Sequence, residues 1–209
     1  MPAITSLSTL KAAAADALAR SDFTDRIASS VALAEAWLNR NLRLRMMEVE
    51  VELPAAPGAQ AIALPQGFLE PLSLYREDAA GRVALRFKVG GLETAAVATP
   101  PQEWTVDGAV IALSAPCDAA YILTLRMLKR FELASDGDSN ALLAAWPDLY
   151  LNALLTVVAG VYLTDDPRLP AWKFSRDELL AEVIRKEARS AAALATLAAD
   201  ASLLGRRCA

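Results

Sequence analysis

Histidine is absent from the 209 residues of this chain. Its absence excludes the serine and cysteine nucleophile systems that use histidine as a base, and it removes a common ligand of catalytic zinc. Cysteine occurs only at Cys117 and Cys208, and neither residue belongs to a spaced metal-binding motif. We expect two unpaired thiols, as is usual in a reducing cytoplasm. The residues therefore predict no catalytic site, no metal site and no cofactor.

A basic surface and a membrane-spanning run are missing as well. Lys and Arg number 21 against 25 Asp and Glu, which gives a net charge of −4. Tight non-specific binding to nucleic acid needs clustered Lys and Arg instead. The apolar runs fall short of the roughly 20 residues that cross a bilayer, and the N-terminus lacks the pattern of a signal peptide. We expect a soluble protein that stays where it is made and contacts no membrane.

The longest apolar segment, residues 148–164, predicts a core helix. Pro147 suits the first helical position, and the sequence Asp165-Asp166-Pro167 ends the helix because the residue before proline avoids the α region. A second helix restarts after Pro167 or Pro170 and packs antiparallel to the first. The side chains expected to be buried are Leu154, Val157, Val158 and Val161 on the first helix and Phe174, Leu179, Leu180, Val183 and Ile184 on the second.

Two helices are predicted near the N-terminus, over residues 4–20 and about 22–41. Apolar residues recur at helical spacing in both, from Leu7 to Leu18 and from Phe23 to Leu42. At Met47 the period changes to two, because apolar residues alternate with glutamates as in a half-buried strand.

Further strands are predicted around 61–64, 69–76, 82–89 and 121–127, and Asp107-Gly108 predicts a tight hairpin turn between two more. These patterns predict an α+β fold in which helices from both termini form a bundle and an antiparallel β unit of about six strands is inserted between them. The predicted segments are residues 1–45 and 133–190 for the bundle, 46–132 for the β insertion and 191–209 for a C-terminal arm.

Two short patterns and their order resemble the head–tail connector (adaptor) proteins of tailed bacteriophages. The first pattern ends the second helix, and the second pattern surrounds the core helix. The residues that match are Glu35, Leu38, Asn39, Arg40, Leu42 and Arg43, followed by Asn140, Leu142, Leu143, Pro147, Asp148, Leu149, Tyr150, Asp165, Asp166 and Trp172. Ala141 and Asn152 depart from the pattern, which often has aromatic residues there.

The resemblance implies a non-enzymatic virion protein of the head–tail junction, assembled in the cytoplasm of a bacterial host. Such adaptors form a homo-oligomeric ring, typically of about twelve copies, through a head-to-tail interface. The implied partners are a portal protein on one side and a tail or neck protein, such as a stopper or nozzle, on the other. DNA would pass through the ring as cargo.

A basic cluster beside an acidic strand provides candidates for contacts between subunits. The cluster is Arg40, Arg43 and Arg45, and the strand carries Glu48, Glu50 and Glu52. The arginines can instead stabilise the C-terminus of their own helix, worth roughly 0.3–1 kcal/mol each, and a DNA contact is a third interpretation. Arginine is enriched at interfaces, which favours salt bridges between neighbouring subunits of a ring.

The C-terminal arm is rich in alanine and has only a weak apolar stripe, so it is expected to be frayed alone and ordered against a partner. The resemblance implies that this arm docks on the portal. The candidate docking residues are Leu194, Leu197, Leu203 and Leu204 as apolar anchors and Arg206 and Arg207 as charged contacts.

Two other classes of protein were weighed against the adaptor. A DNA-binding regulator or packaging accessory protein of helical type would need a basic recognition helix, for which residues 40–45 are the candidate. Binding to labelled duplex DNA with a steep salt dependence would favour that class. A glycan hydrolase would need two convergent carboxylates, and the sequence shows no such pair.

Overall fold

The computed structural model describes residues 3–20, 23–78 and 81–205, with side chains up to Ala193. These residues belong to two compact units. One unit contains Met1–Met46 and Phe131–Ala209, and its regular structure is helical. The other unit contains Met47–Arg130, and its regular structure is a β-sheet.

Five α-helices lie in the described part of the helical unit. A capping box between Ser6 and Thr9 begins the first helix, and Ala19 ends it in a left-handed conformation with φ 54°. A short 3-10 turn, Arg45–Met47, follows the second helix. The helices are α1 (Leu7–Leu18), α2 (Thr24–Asn41), α3 (Ala141–Ala145), α4 (Pro147–Tyr162) and α5 (Leu169–Gly205).

Helix α4 is the centre of this unit and contacts α1, α2 and α5. Pro147 occupies its first turn together with Asp148, whose carboxylate suits the positive end of the helix. Leu154 and Val158 are buried as predicted. The prediction that Val161 is buried is wrong for the single chain, where this side chain is 55% exposed. The packed side of α4 therefore ends before its last turn.

Helix α5 packs through a narrower side than its sequence predicted. Val183 is buried, but Phe174 is 68% exposed and Ile184 is 46% exposed, so the prediction that these two face inward is wrong. Phe174 precedes Val183 by nine positions, which places it about half a turn away around the helix. An apolar residue at roughly helical spacing thus lies on the side of α5 that faces solvent.

The β unit is one sheet of seven strands with the order β1-β7-β3-β4-β5-β6-β2. Glu48 to Ala55 of β1 pair antiparallel with Leu128 to Tyr121 of β7, so valines and glutamates of β1 alternate between the two faces. The strands are β1 (Glu48–Ala55), β2 (Ala61–Ala63), β3 (Phe68–Asp78), β4 (Gly81–Phe87), β5 (Glu103–Asp107), β6 (Val110–Leu113) and β7 (Tyr121–Lys129).

The prediction of a helical bundle with an inserted antiparallel β unit is wrong. The chain is α+β, but its seven strands form a nearly closed sheet with a hydrophobic core of its own. Trp104, Leu74 and Leu125 belong to this core, in which the inner side chains of the sheet pack on one another. One pair of neighbours, β4 and β5, is parallel through Arg86 and Phe87. The alternation of apolar and polar residues within one strand does not reveal which distant strand it pairs with.

Candidate functional site

A buried polar junction joins α2 to the start of α3 and α4. The hydroxyl of Tyr150 donates to Oε1 of Glu35 over 2.6 Å, and Nδ2 of Asn140 donates to the same hydroxyl over 3.3 Å. Oδ1 of Asn140 also accepts from the backbone N–H of Leu143 over 2.8 Å, which caps α3. Tyr150 is fully buried and Glu35 is 7% exposed.

Burial sets the electrostatics of this junction. It raises the pKa of Glu35, because desolvation disfavours the carboxylate more than the hydrogen bonds from Tyr150 and the Leu133 backbone favour it. Burial and the neighbouring carboxylate also raise the pKa of Tyr150. The phenol therefore stays neutral and acts as a donor, so the arrangement holds segments together and supplies no reactive group.

A second buried contact lies near the end of α2. Nδ2 of Asn39 donates to the carbonyl of Phe131 over 3.0 Å, and the N–H of Phe131 donates to Oδ1 of Asn39 over 2.9 Å. The amide side chain thus satisfies both polar groups of one backbone residue. This contact and the Glu35 junction together involve the side chains of four residues of the connector resemblance: Glu35, Asn39, Asn140 and Tyr150. The sequence contained these residues, but a separation of 92 or 115 positions left no sign that they meet.

The turn between α4 and α5 forms a third contact built from residues of the resemblance. Arg168 pairs with Asp166 over 2.8 Å and donates through Nη1 to the carbonyl of Ala17 over 2.8 Å, at the C-terminal end of α1. The hydrogen bonds from Arg168 lower the pKa of Asp166 to about 2. The guanidinium also lies 4.9 Å from the ring centre of Trp172. The sequence predicted that the Asp-Asp-Pro turn ends a helix and that Asp165 and Asp166 match the connector pattern, but it did not reveal the contact with α1.

The basic cluster predicted at the end of α2 is exposed in the single chain. Nη1 of Arg43 donates to the carbonyls of Asn39 and Leu42 over 2.7 and 2.6 Å, which supports the interpretation that it stabilises its own helix end. The backbone N–H of Arg45 donates to Glu187 over 3.0 Å. The side chain of Arg40 has no hydrogen bond or ion pair among the described residues.

The predicted glutamates lie on one face of β1, and two of them have partners within their own sheet. Glu48 pairs with Arg126 of β7, and Glu50 pairs with Arg82 of β4 over 3.1 Å. The hydrogen bond from Arg82 lowers the pKa of Glu50. Glu52 is exposed and has no ion pair within the described part of the chain. Sequence reasoning missed both arginines, although their alternation in predicted strands was a sign that they face outward.

Four of the candidate docking residues of the C-terminal arm lie in the last part of α5. The backbone of Leu194, Leu197, Leu203 and Leu204 lies in α5, which continues without a break to Gly205. Arg206 and Arg207 lie outside the described residues. Residues 188–193, just before the arm's leucines, are all exposed.

The described residues contain no group of three or more His, Cys, Asp or Glu side chains that could hold a metal ion. Cys117 is a buried free thiol whose pKa is raised by burial, and Cys208 lies outside the described residues. None of the helices in the described ranges is long and apolar enough to cross a membrane.

The motifs and the contacts between them agree with one family of structural phage proteins. Residues 5–200 match the SU10 adaptor protein family. The chain belongs to this family, and the resemblance to phage head–tail adaptors is confirmed. As a family member it is a structural adaptor of bacteriophage particles that interacts with other phage structural proteins. No curated protein matches the chain.

Proposed function

We propose that this adaptor forms a ring, of about twelve copies as the connector resemblance implies, that joins the portal of a phage head to a tail or neck protein. The ring would continue the channel through which DNA passes. The observation that carries the proposal is the family match over residues 5–200. The protein would act by recognition and ring closure, with no chemical step.

A closed ring needs two different surfaces on each copy, and the single chain presents candidates for both. Helix α5 exposes 68% of Phe174 and 46% of Ile184, and α2 exposes 54% of Leu33. Large apolar side chains at such exposure are available for burial by a neighbour. They supplement the charged candidates that the sequence provides.

We infer that the basic cluster pairs with carboxylates of an adjacent subunit. Arg40 leads among the arginines, because Arg43 is also engaged by carbonyls of its own helix end. Glu52 leads among the glutamates, because Glu48 and Glu50 already pair with arginines of their own sheet. A contact between Arg40 and Glu52 of a neighbouring copy would leave those internal ion pairs intact.

We further propose that the C-terminal arm docks on the portal. Among the side chains described up to Ala193, Glu187 is the last that is half-buried, and residues 188–193 are exposed while the backbone of α5 continues to Gly205. A helix that extends past its own packing presents its surface to a partner, and binding then offsets the entropy of ordering it. The leucines of the arm would supply the apolar anchors.

The test is assembly on portal-bearing heads, read by electron microscopy of the head–tail junction. Wild-type protein is expected to add a ring below the portal, and Arg40→Glu is expected to impair ring formation without lowering the monomer's melting temperature. Lys173→Glu, which makes the same charge change at another exposed position, serves as the control. Assembly of Arg40→Glu at the wild-type level would contradict the inter-subunit salt bridge, and failure of the wild type to bind heads would contradict the adaptor ring.

A further inference from the structure

The two sides of strand β4 are paired over different parts of its length. From Gly81 to Leu85 it pairs with β3, but on the other side β5 reaches only Arg86 and Phe87. There the N–H of Arg86 donates to the carbonyl of Gln102, and the N–H of Lys88 donates to the carbonyl of Trp104, each over 2.9 Å. Pro100 and Pro101 come directly before Gln102, and proline has no N–H with which to continue a ladder.

The alternation of a strand decides where the remaining backbone groups of β4 point. Because the N–H of Arg86 faces β5, the N–H and C=O groups of Arg82 and Ala84 face the same side. Among the described residues, these backbone groups have no backbone partner on that side. Beside them lies an open cavity of about 450 Å³, lined by Ala84, Leu85, Arg86, Gln102, Glu103 and Ser114. The sheet therefore has an unfilled strand position next to an open space.

Arg86 and Glu103 are the charged residues that line this cavity, and Lys88, which pairs with the same Glu103, adds a second cation beside them. The side chain of Arg86 is 76% exposed and that of Lys88 is 42% exposed, and both contact the single carboxylate of Glu103, over 3.5 and 3.3 Å. Two cations for one carboxylate leave a net positive rim. Arg86, Lys88 and Ala84 are at alternate positions, so they lie on the same face of β4.

We propose that this open edge of β4 is a docking site for an extended acidic segment of a partner protein. The segment adds as a short strand and accepts from and donates to the free backbone groups of Arg82 and Ala84. Its alternate side chains are carboxylates directed at Arg86 and Lys88, while the intervening side chains are apolar and lie along the inner face beside Leu85. The inference rests on the geometry of the β unit and does not depend on the ring or on portal binding.

A fluorescent peptide of alternating glutamate and valine tests the proposal in the full-length protein, by fluorescence anisotropy and by amide hydrogen exchange. Saturable binding is expected, with slower exchange at residues 81–85 and weak binding of the peptide in which lysine replaces glutamate. Ala84→Pro removes a donor that has no backbone partner among the described residues, and it is expected to weaken binding by about tenfold or more. Ala84→Ser keeps the donor and is expected to bind like the wild type.

Charge reversal at Arg86 and Lys88 tests the proposed site independently if Ala84→Pro does not fold. The double variant Arg86→Glu, Lys88→Glu is expected to lose the glutamate peptide and to prefer the lysine peptide. Unchanged binding to folded Ala84→Pro or to the double variant, absence of saturable binding, or protection away from β4 would overturn the proposal. Protection of residues 81–85 that rises with protein concentration alone would show a second copy at the edge and would overturn the assignment of an acidic partner.

Discussion

The hydroxyl of Tyr150 donates a 2.6 Å hydrogen bond to the carboxylate of Glu35, which lies 115 residues earlier in the chain. Both side chains are buried, and each belongs to one of the two patterns that resemble phage connectors. The contact ties α2 to α4, the central helix of the helical unit. It follows that these pattern residues hold the adaptor's scaffold together, whatever surface the adaptor presents to its partners.

Removal of that hydroxyl is expected to destabilise the helical unit. Tyr150→Phe leaves the ring in place but removes one of the donors to a buried carboxylate, which costs about 1–3 kcal/mol. Urea unfolding followed by circular dichroism measures the change. Tyr162→Phe is the control, because Tyr162 is 38% exposed. Equal stability of Tyr150→Phe and the wild type would mean that water or another group satisfies Glu35.

The pKa of Glu35 predicts the sign of a pH dependence. Burial raises this pKa above its ordinary value of 4.5, so the folded state holds the proton more tightly than the unfolded state. The stability contributed by this group is fully present below pH 4.5 and is lost as pH rises through the folded pKa. The free energy of unfolding of the wild type, relative to Glu35→Gln, is therefore expected to fall as pH rises above 4.5. An increase over that range would contradict the assignment.

Removal of the Asn39 side chain is expected to lower the stability of the folded protein. Asn39→Ala leaves the N–H and C=O of Phe131 without the partners they have in the fold, which costs about 1–3 kcal/mol. Asn41→Ala is a matched control, because Asn41 is exposed and donates only to the carbonyl of Trp37 in its own helix. Thermal melting of both variants separates the two roles. Because alanine favours a helix more than asparagine does, helix propensity alone would stabilise both variants. Similar losses in both would therefore contradict the assignment of the effect to the contact with Phe131.

The helices could be predicted because their boundaries are local. Proline at the start of α4 and the Asp-Asp-Pro sequence after it act within a few residues, and the structure ends α4 at Tyr162, close to the predicted end. The exposed face of α5 could not be predicted in the same way. Phe174 and Val183 are both apolar but lie about half a turn apart, and which of these two sides is covered depends on how α4 packs, which the sequence pattern does not reveal.

In the β unit, local sequence patterns predicted the strands but not which strands are neighbours. Alternation predicted the strands and even the outward direction of Glu48 and Glu50, because the side-chain period of a strand is fixed. Their partners Arg126 and Arg82 depend on strand order, which is set by packing across the whole sheet. For that reason the sequence indicated which residues are exposed but did not reveal the ion pairs or the open edge of β4.

The Asp166–Arg168 contact predicts a second pH dependence, of opposite sign. The pKa of Asp166 is lowered from 3.8 to about 2 by Arg168, so its contribution to stability is present above pH 3.8 and is lost as pH falls towards 2. Asp166→Asn is expected to lower the melting temperature near neutral pH, and the difference from the wild type is expected to shrink as pH approaches 2. Asp165→Asn, at an exposed neighbouring position, is the control. A difference that stays constant with pH would mean that the charge of Asp166 is not responsible.

Truncation before the C-terminal arm tests the proposal that the first part of α5 packs within the chain and the arm docks on the portal. Residues up to Glu187 include the side chains that pack, among them the buried Val183, whereas residues 188–193 are exposed. A chain that stops after Ser190 keeps Val183, the buried side chain in the described part of α5, so it is expected to fold with nearly wild-type stability. Its incorporation into portal-bearing heads, measured by quantitative mass spectrometry of purified particles, is expected to drop sharply.

A control that replaces Leu194, Leu197, Leu203 and Leu204 by alanine keeps the helix length and removes the apolar anchors, so it is expected to show the same defect. Normal incorporation of both variants would place portal docking elsewhere on the helical unit.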